Sequence, residues 1–143
     1  MATLKISDLS VGDWVQDMDG NYGRVEGIWQ GRNFSYQVDR NRDGVIGTIA
    51  ACNIHPIPIT AEILEANGWK KGQRGEFYHY LQLDKNSTLY VHASTNGWRM
   101  EITYDVAGIL RTTHLMPDVV SIHQLQHALR LAGIDKEIVM PNK

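Results

Sequence analysis

Length, composition and charge describe an ordinary globular protein. The chain has 143 residues, of which 43% are hydrophobic and 21% are charged, and this balance excludes a disordered or fibrous protein. The formal net charge is −2 and neither half of the chain is basic, so a nucleic-acid-binding surface would have to be a local patch. No apolar run approaches the ~20 residues of a membrane-spanning helix, so no membrane partner is expected. The single cysteine, Cys52, excludes an internal disulfide and favours a reducing compartment, with the cytoplasm as the expected location.

Residues 1–58 have the pattern of short strands separated by tight turns. The segments that read as strands are 14–16, 22–30, 34–38 and 45–51. Gly23 and Gly27 inside the second of them predict a sharp bend or a bulge. Several short, strongly bent strands in so few residues predict an SH3-like β module, built as a small barrel or a rolled sheet.

A proline-containing segment, residues 54–60, predicts the boundary between this module and the rest of the chain. Its two prolines are separated by one residue, so they favour an extended path and exclude a helix there. Thr60 is placed to cap a short helix over 61–67, which an Asn-Gly pair ends in left-handed geometry. That ending is expected to bring Trp69 back onto Leu64.

Residues 59–143 predict a short helix, a four-stranded antiparallel meander and a C-terminal helix packed on it. The strands are expected over 76–84, 88–93, 98–105 and 109–114, with the sheet closing at 116–117. Ser121 is expected to cap the final helix, with Gly133 ending it. The apolar arc of that helix consists of Ile122, Leu125, Ala128, Leu129 and Ala132. The predicted fold class is therefore α+β.

Two short stretches resemble a known group of proteins. One is Pro-Ile-Pro-Ile-Thr at 56–60, and the more distinctive one is Val-Ser-Ile-His-Gln-Leu-Gln at 120–126. With the opening at 9–15, they resemble small uncharacterised proteins encoded in the genomes, prophages and mobile elements of gut anaerobes. The resemblance implies a compact accessory protein, often phage-linked, and it carries no activity over to any residue.

Two histidines in the final helix are the weak candidates for a metal site. His123 and His127 are four residues apart, which is the spacing that lets two imidazoles share a zinc ion. The glutamate of the protease motif is replaced by Gln124, and the helical wheel places both histidines opposite the apolar arc, towards water. A third ligand would have to come from His114, His92 or a carboxylate. We therefore expect no metal and no cofactor here.

Residues 39–44 match the beginning of a calcium-binding loop. The match is Asp-Arg-Asn-Arg-Asp-Gly, but Ala50 stands where the loop needs a bidentate glutamate. The two arginines also oppose a divalent cation. Because Asp, Asn and Gly are equally the residues of a tight turn, we interpret the segment as a turn.

Aromatic residues provide the leading candidate for an interaction site. In 77–81, alternation places Phe77, His79 and Leu81 on one side of a strand and two tyrosines on the other. If the first side faces the helix, Tyr78 and Tyr80 are exposed and Tyr90 can join them. Exposed aromatics on a sheet stack on bases or anchor a protein interface, and burial against the small β module is the structural alternative. Because no basic residues accompany the tyrosines along the chain, a protein interface is favoured.

A small basic cluster supports an alternative function. Lys70, Lys71 and Arg74 lie among glycines between the first helix and the first strand of the meander, where a solvated loop is expected. This loop would be the contact surface of a nucleic-acid-binding accessory protein.

No catalytic constellation stands beside these candidates. The sequence lacks a nucleophile motif and a phosphate-binding loop, and Cys52 is expected to be a small core residue. The sequence therefore predicts a protein that is not an enzyme. The leading hypothesis is a protein-interaction or structural accessory module of a phage or mobile element, whose partner is an unknown protein or a second copy.

Overall fold

The computed structural model describes residues 4–31, 36–73, 78–95 and 97–141, with the backbone alone over 113–118. In this part of the chain the fold is α+β, as predicted, with two antiparallel sheets of four and five strands and two α-helices. Neither of these helices is long and apolar enough to cross a membrane. The chain divides into two compact units: Met1–Pro58 with Ser121–His123, and Ile59–Val120 with Gln124–Lys143.

The first unit contains an antiparallel sheet whose four strands follow one another in chain order. They are β1 (Trp14–Gln16), β2 (Tyr22–Gln30), β3 (Tyr36–Arg42) and β4 (Val45–Ala50), with 3-10 turns at Ile6–Asp8 and Ala51–Asn53. The buried residues of its core are Leu9, Val15, Val25, Val38 and Ile54. The predicted irregularity is present in β2, where the register with β3 shifts between Val25 and Gly27.

The first sheet is open. The sequence predicted an SH3-like module built as a small barrel or a rolled sheet, and the barrel is not formed. Its strand order is β1-β2-β3-β4, and no pairing among the described strands joins β4 to β1. Each neighbouring pair is antiparallel, so the unit is a simple meander. The SH3-like resemblance of this unit stays a prediction.

The second unit contains a five-stranded antiparallel sheet. One α-helix precedes this sheet in the chain and the other follows it. The elements are α1 (Ala61–Ala66), β5 (Lys70–Lys71), β6 (Tyr78–Asp84), β7 (Ser87–Ser94), β8 (Gly97–Val106), β9 (Ile109–Val119) and α2 (Ile122–Leu131). The predicted four-stranded meander is thus extended by β5, since a two-residue strand has no period that a sequence pattern can detect. The prediction that Pro117 closes the sheet is also wrong. β9 continues to Val119 and is an edge strand, where a proline costs no ladder bond.

The predicted caps of α1 are confirmed. The Thr60 hydroxyl accepts a hydrogen bond from the Ile63 N–H at 3.2 Å, which satisfies one of the free donors at the start of the helix. At the other end Gly68 has a φ of +93°, and the Trp69 N–H donates to the Leu64 carbonyl at 3.0 Å. The Trp69 and Leu64 side chains are both buried. The turn after α1 therefore brings Trp69 back towards Leu64, as the sequence predicts.

One face of the second sheet supplies the core of this unit. Leu89, Val91, Met100 and Ile102 are fully or almost fully buried and project from the same face of β7 and β8. The predicted apolar arc of α2 is buried as well, at Leu125, Ala128 and Leu129. The apolar face of the sheet and the apolar arc of α2 are thus both buried within the second unit, and the packing of the helix on the sheet stays a prediction.

Candidate interaction face

Four ring side chains lie together on one face of the second sheet, opposite the face from which Leu89, Val91, Met100 and Ile102 project. In the antiparallel register Tyr78 lies opposite His92, and Tyr80 lies opposite Tyr90. Directly opposed residues project to the same side of a sheet, so the four rings share one face, here called the aromatic face. All four are half-buried, while His79 is fully buried on the opposite side. Tyr78 and Tyr80 thus lie on the side opposite His79, as alternation predicts, but they are half-buried and not exposed, and Phe77 lies outside the described residues.

The rings of the aromatic face contact one another. The Tyr78 and Tyr90 ring centroids are 5.3 Å apart and those of Tyr80 and Tyr90 are 6.3 Å apart, both pairs tilted at 46°. The Tyr78 ring also stacks on His92, with centroids 5.5 Å apart and planes at 20°. These separations are those of favourable aromatic pairs. Because each ring restricts its neighbours, a partner that binds here immobilises few additional rotamers.

A shallow cleft opens beside the aromatic face. It has a volume of about 390 Å³ and is lined by Gly72, Gln73, Tyr78, Tyr80 and Tyr90. The Gly72 N–H donates to the Tyr78 carbonyl at 2.6 Å, and a Cβ on Gly72 would lie 2.8 Å from Tyr78 Cδ1. A glycine at this position therefore lets the end of β5 approach the tyrosine ring closely. The cleft combines ring surfaces with hydroxyl and amide groups, as the pockets of protein interfaces do.

Charged residues border the aromatic face. Lys70 lies directly opposite Tyr80 in the β5–β6 pair, and Arg99 lies opposite His92 in the β7–β8 pair. Glu101 Oε1 is 3.2 Å from His92 Nε2, so this carboxylate holds the imidazole. The tyrosines therefore have basic neighbours in space, although they have none next to them along the chain. This finding weakens the argument by which the sequence favoured a protein over a nucleic acid.

The predicted basic loop is not a loop at Lys70 and Lys71. Both residues belong to β5 and pair with β6, so successive side chains project to opposite faces of the sheet. Lys70 shares the face of Tyr80, and Lys71 shares the side of His79. Arg74, the third residue of the cluster, lies outside the described residues. Of these lysines, only Lys70 borders the aromatic face.

His79 lies beneath the aromatic face, inside the core of the second unit. Its side chain is fully buried, and neither ring nitrogen has a hydrogen-bond partner within the described part of the chain. The Glu65 carboxylate is 3.8 Å from Nε2, which exceeds hydrogen-bond length, and the Trp98 ring centroid is 6.1 Å from the imidazole centroid. His79 is therefore held by packing, and it does not reach a ligand bound on the opposite side of the sheet.

The structure places the two weak metal candidates in different surroundings. His123 is buried, contrary to the prediction that it faces water, and its Nδ1 lies 2.9 Å from the Ser121 hydroxyl. His127 is half-buried, and the side chain of His114 is not among those described. Among the described residues no group of three His, Cys, Asp or Glu side chains could hold a metal ion. The Ser121 contact explains the orientation of the His123 ring without a ligand.

The calcium-like segment is part of a hairpin. Residues 39–42 belong to β3, and Asp43 and Gly44 form a two-residue turn with φ values of +52° and +86°. Positive φ at both positions is what a type I′ hairpin turn requires. Asp39 Oδ1 accepts hydrogen bonds from the Thr48 hydroxyl at 2.7 Å and from Trp29 Nε1 at 3.3 Å. The sheet itself therefore uses the carboxylate that would have been the first calcium ligand.

Cys52 differs from its expected position in a core. The residue lies in the 3-10 turn Ala51–Asn53 and is exposed, with Sγ 3.8 Å from Asn53 Oδ1. The prediction rested on the small apolar character of a free cysteine. The conformation of the turn directs the Cys52 side chain towards solvent, and this outweighs the usual tendency of a free cysteine to be buried.

Two residues of the site were not predicted as members from the sequence. His92 follows Tyr90 by two positions in β7, so the alternation of that strand contained the signal for its place on the aromatic face. Lys70 lies in a strand of only two residues, and its position opposite Tyr80 depends on a pairing that local sequence does not encode.

Comparisons with known proteins found no match: no protein-family model, no curated protein and no solved structure is similar to this chain.

Proposed function

We propose that the chain is a non-enzymatic protein-interaction module whose aromatic face binds a partner protein. The observation that carries the proposal is the continuous contact of Tyr78, Tyr80, Tyr90 and His92 on the face of the second sheet opposite the buried His79. Tyrosine combines a large contact area with a hydroxyl group, and it is enriched among the residues that dominate binding energies. The half-buried state of the four rings leaves part of each ring available to a partner.

The test compares two tyrosine substitutions on the aromatic face with one elsewhere. We expect the double variant Tyr78→Ser/Tyr80→Ser to lose at least ten-fold in capture of a binding protein from extracts of cells that encode the chain. Tyr36→Ser is the matched control, because Tyr36 is an exposed tyrosine of the first sheet. Captured proteins are quantified by mass spectrometry after nuclease treatment, and circular dichroism checks that the variants fold. Equal capture by the double variant and the control would contradict the proposal.

A second candidate function, binding of single-stranded nucleic acid, is favoured by one specific observation. Lys70 lies opposite Tyr80 and Arg99 lies opposite His92, so cations border rings on which bases could stack. The neighbouring Glu101 and the net charge of −2 act against a polyanion. For this reason the nucleic-acid function ranks second.

The nucleic-acid candidate is tested with a labelled single-stranded oligonucleotide and fluorescence anisotropy. If it is correct, Lys70→Ala weakens binding several-fold and lowers the salt dependence of the affinity by about one unit of logarithmic slope. Lys85→Ala is the matched control, because Lys85 is an exposed lysine of the β6–β7 turn. The same affinity in both variants, or none in the unmodified protein, would remove this function.

We also propose that the module is an accessory protein of a phage or mobile element and acts in the cytoplasm. The first part is supported by the sequence resemblance at 56–60 and 120–126 alone. The second part is supported by Cys52, since an exposed free thiol is compatible with a reducing compartment.

A further inference from the structure

The hairpin of β8 and β9 extends beyond the rest of the second sheet and ends in aliphatic side chains. β7 begins at Ser87, which pairs with Tyr104, and the Asp105 N–H donates to the Asn86 carbonyl of the β6–β7 turn at 2.7 Å, so only the positions beyond Asp105 pair solely within the hairpin. Val106, Ile109 and Leu110 are 57%, 61% and 71% exposed at its end. Val106 and Ile109 lie directly opposite each other on the face of Tyr104 and are here called the hairpin tip, whereas Leu110 lies opposite Asp105 and projects to the other face. Exposed aliphatic residues that lie together differ from the isolated ones that any surface carries.

A groove whose walls are about equally polar and apolar lies next to the hairpin tip in the same unit. Its volume is about 500 Å³, and its apolar lining comes from Leu81, Leu83, Ile102, Tyr104 and Ile134. The groove is formed by residues of β6, β7 and β8 together with those that follow α2, at 132–136.

We propose that this end of the second unit is a homodimer interface, in which the hairpin tip of each copy occupies the groove of the other. Tyr104 lines the groove and immediately precedes the tip, so a two-fold axis close to Tyr104 places each tip over the other copy's groove. An interface of this kind uses the same patch on both subunits, and each contact occurs twice. The hairpin tip is an apolar projection, the groove has an apolar wall, and both belong to the same unit. One patch can therefore supply both halves of each contact.

The charges around the patch favour a second copy over a strongly charged partner. The acidic residues at its border are Asp84, Asp105 and Asp135, and the basic ones are Lys85, Arg111 and Lys136. Three charges of each sign leave the patch neutral and allow pairs of opposite charge to meet across a two-fold axis. A partner with one predominant sign would meet like charges as often as opposite ones.

The area is also that of a small dimer interface. The exposed surface of Tyr104 and the hairpin tip is roughly 300 Å² per copy, at the lower end of the ~300–600 Å² of apolar patches that are often functional. Two such patches, with the groove walls and the charged border, reach roughly the 1,000 Å² that a specific interface needs. The proposal concerns a surface other than the aromatic face and does not depend on the function proposed for that face.

Sedimentation velocity over a range of protein concentrations tests the dimer. We expect the unmodified protein to dimerise at micromolar concentrations and Val106→Asp/Ile109→Asp to raise the dissociation constant at least 100-fold. Val45→Asp/Ile46→Asp is the matched control, because these residues are 71% and 62% exposed and follow the two-residue turn of the β3–β4 hairpin. The control should dimerise within two-fold of the unmodified protein. A monomer at all concentrations, or equal weakening by both variants, would overturn the proposal.

A cross-linking experiment tests the arrangement itself. Cys52→Ser removes the native thiol, and Ala107→Cys and Asp135→Cys are then made in separate chains, one at the hairpin turn and one at the groove. When the two proteins are mixed under mild oxidation, we expect a disulfide-linked species that contains one chain of each kind. A Cys52→Ser chain with Asp43→Cys, at the turn of the first sheet, replaces the hairpin variant as the control. Dimers without this mixed cross-link, or equal cross-linking of the control, would refute the tip-in-groove arrangement.

Discussion

Replacement of Asn67 by alanine is expected to lower the free energy of unfolding by about 3 kcal/mol. The side chain is buried and makes three hydrogen bonds to the backbone. Nδ2 donates to the Ile63 carbonyl at 2.9 Å and to the Val139 carbonyl at 2.8 Å, and Oδ1 accepts from the Val139 N–H at 2.7 Å. Alanine leaves the Val139 N–H and carbonyl without these partners, whereas the Ile63 carbonyl keeps its hydrogen bond from the backbone N–H of residue 67. Unfolding by urea, followed by circular dichroism, measures the loss.

The structural consequence of this substitution is local to the C-terminal segment. Asn67 is the residue that fixes Val139, and the neighbouring Ile138 and Met140 side chains are buried. We therefore expect hydrogen exchange at the Val139 amide to accelerate by two orders of magnitude or more in the Asn67→Ala variant. Asn53→Ala is the matched control, since Asn53 is exposed, and it should cost less than about 0.5 kcal/mol. A loss of similar size in both variants would contradict the assigned role of Asn67.

Elements whose signals are local could be predicted from the sequence. The Thr60 cap, the Asn-Gly ending of α1 and the turns between the strands of the second sheet all depend on residues within a few positions of one another. The alternation along β6 likewise gave the correct face for Tyr78 and Tyr80, because the period of a strand fixes sides without reference to its partners. The fold class and the orientation of the leading candidate residues follow from such patterns.

Features that depend on distant contacts were beyond the sequence. Lys70 becomes a neighbour of Tyr80 only through the pairing of β5, and Asn67 meets Val139 across 72 positions of chain. His123 shows a different limit. A helical wheel gives only the angle of a side chain relative to the apolar arc. A side chain in the first turn of a helix also contacts the residues that precede the helix. The Ser121 hydroxyl, 2.9 Å from His123 Nδ1, belongs to one of these residues.

Acidification is expected to remove about 2 kcal/mol of stability from the first unit through one carboxylate, Asp17. Burial opposes the charged form, but the hydrogen bonds from Arg40 and Asn21 outweigh it and lower the pKa of Asp17 from 3.8 to about 2. The Arg40 Nη1 lies 2.8 Å from Asp17 Oδ2, and both side chains are largely buried. Because the folded pKa is the lower one, the stabilisation is complete above pH 4–5 and is lost as the pH falls through 2.

Asp17→Asn tests this linkage, because asparagine keeps the shape of the side chain and removes its charge. We expect the variant to lose about 2 kcal/mol at pH 7 and to become less sensitive to acid between pH 5 and pH 2, as measured by urea unfolding at each pH. Asp43→Asn, at an exposed hairpin turn, is the matched control and should keep the acid response of the unmodified protein. An unchanged acid response in Asp17→Asn would show that another group is responsible.

Gly23→Ala provides an independent route to the same ion pair. A Cβ on Gly23 would collide with Cγ and Cδ of Arg40, so alanine forces the guanidinium away from Asp17. We expect Gly23→Ala to cost about as much as Asp17→Asn, and the double variant to cost clearly less than the sum of the two. This coupling is what distinguishes loss of one shared contact from two unrelated defects. Full additivity of the two free-energy losses would mean that Gly23 has a role in the sheet other than making room for Arg40.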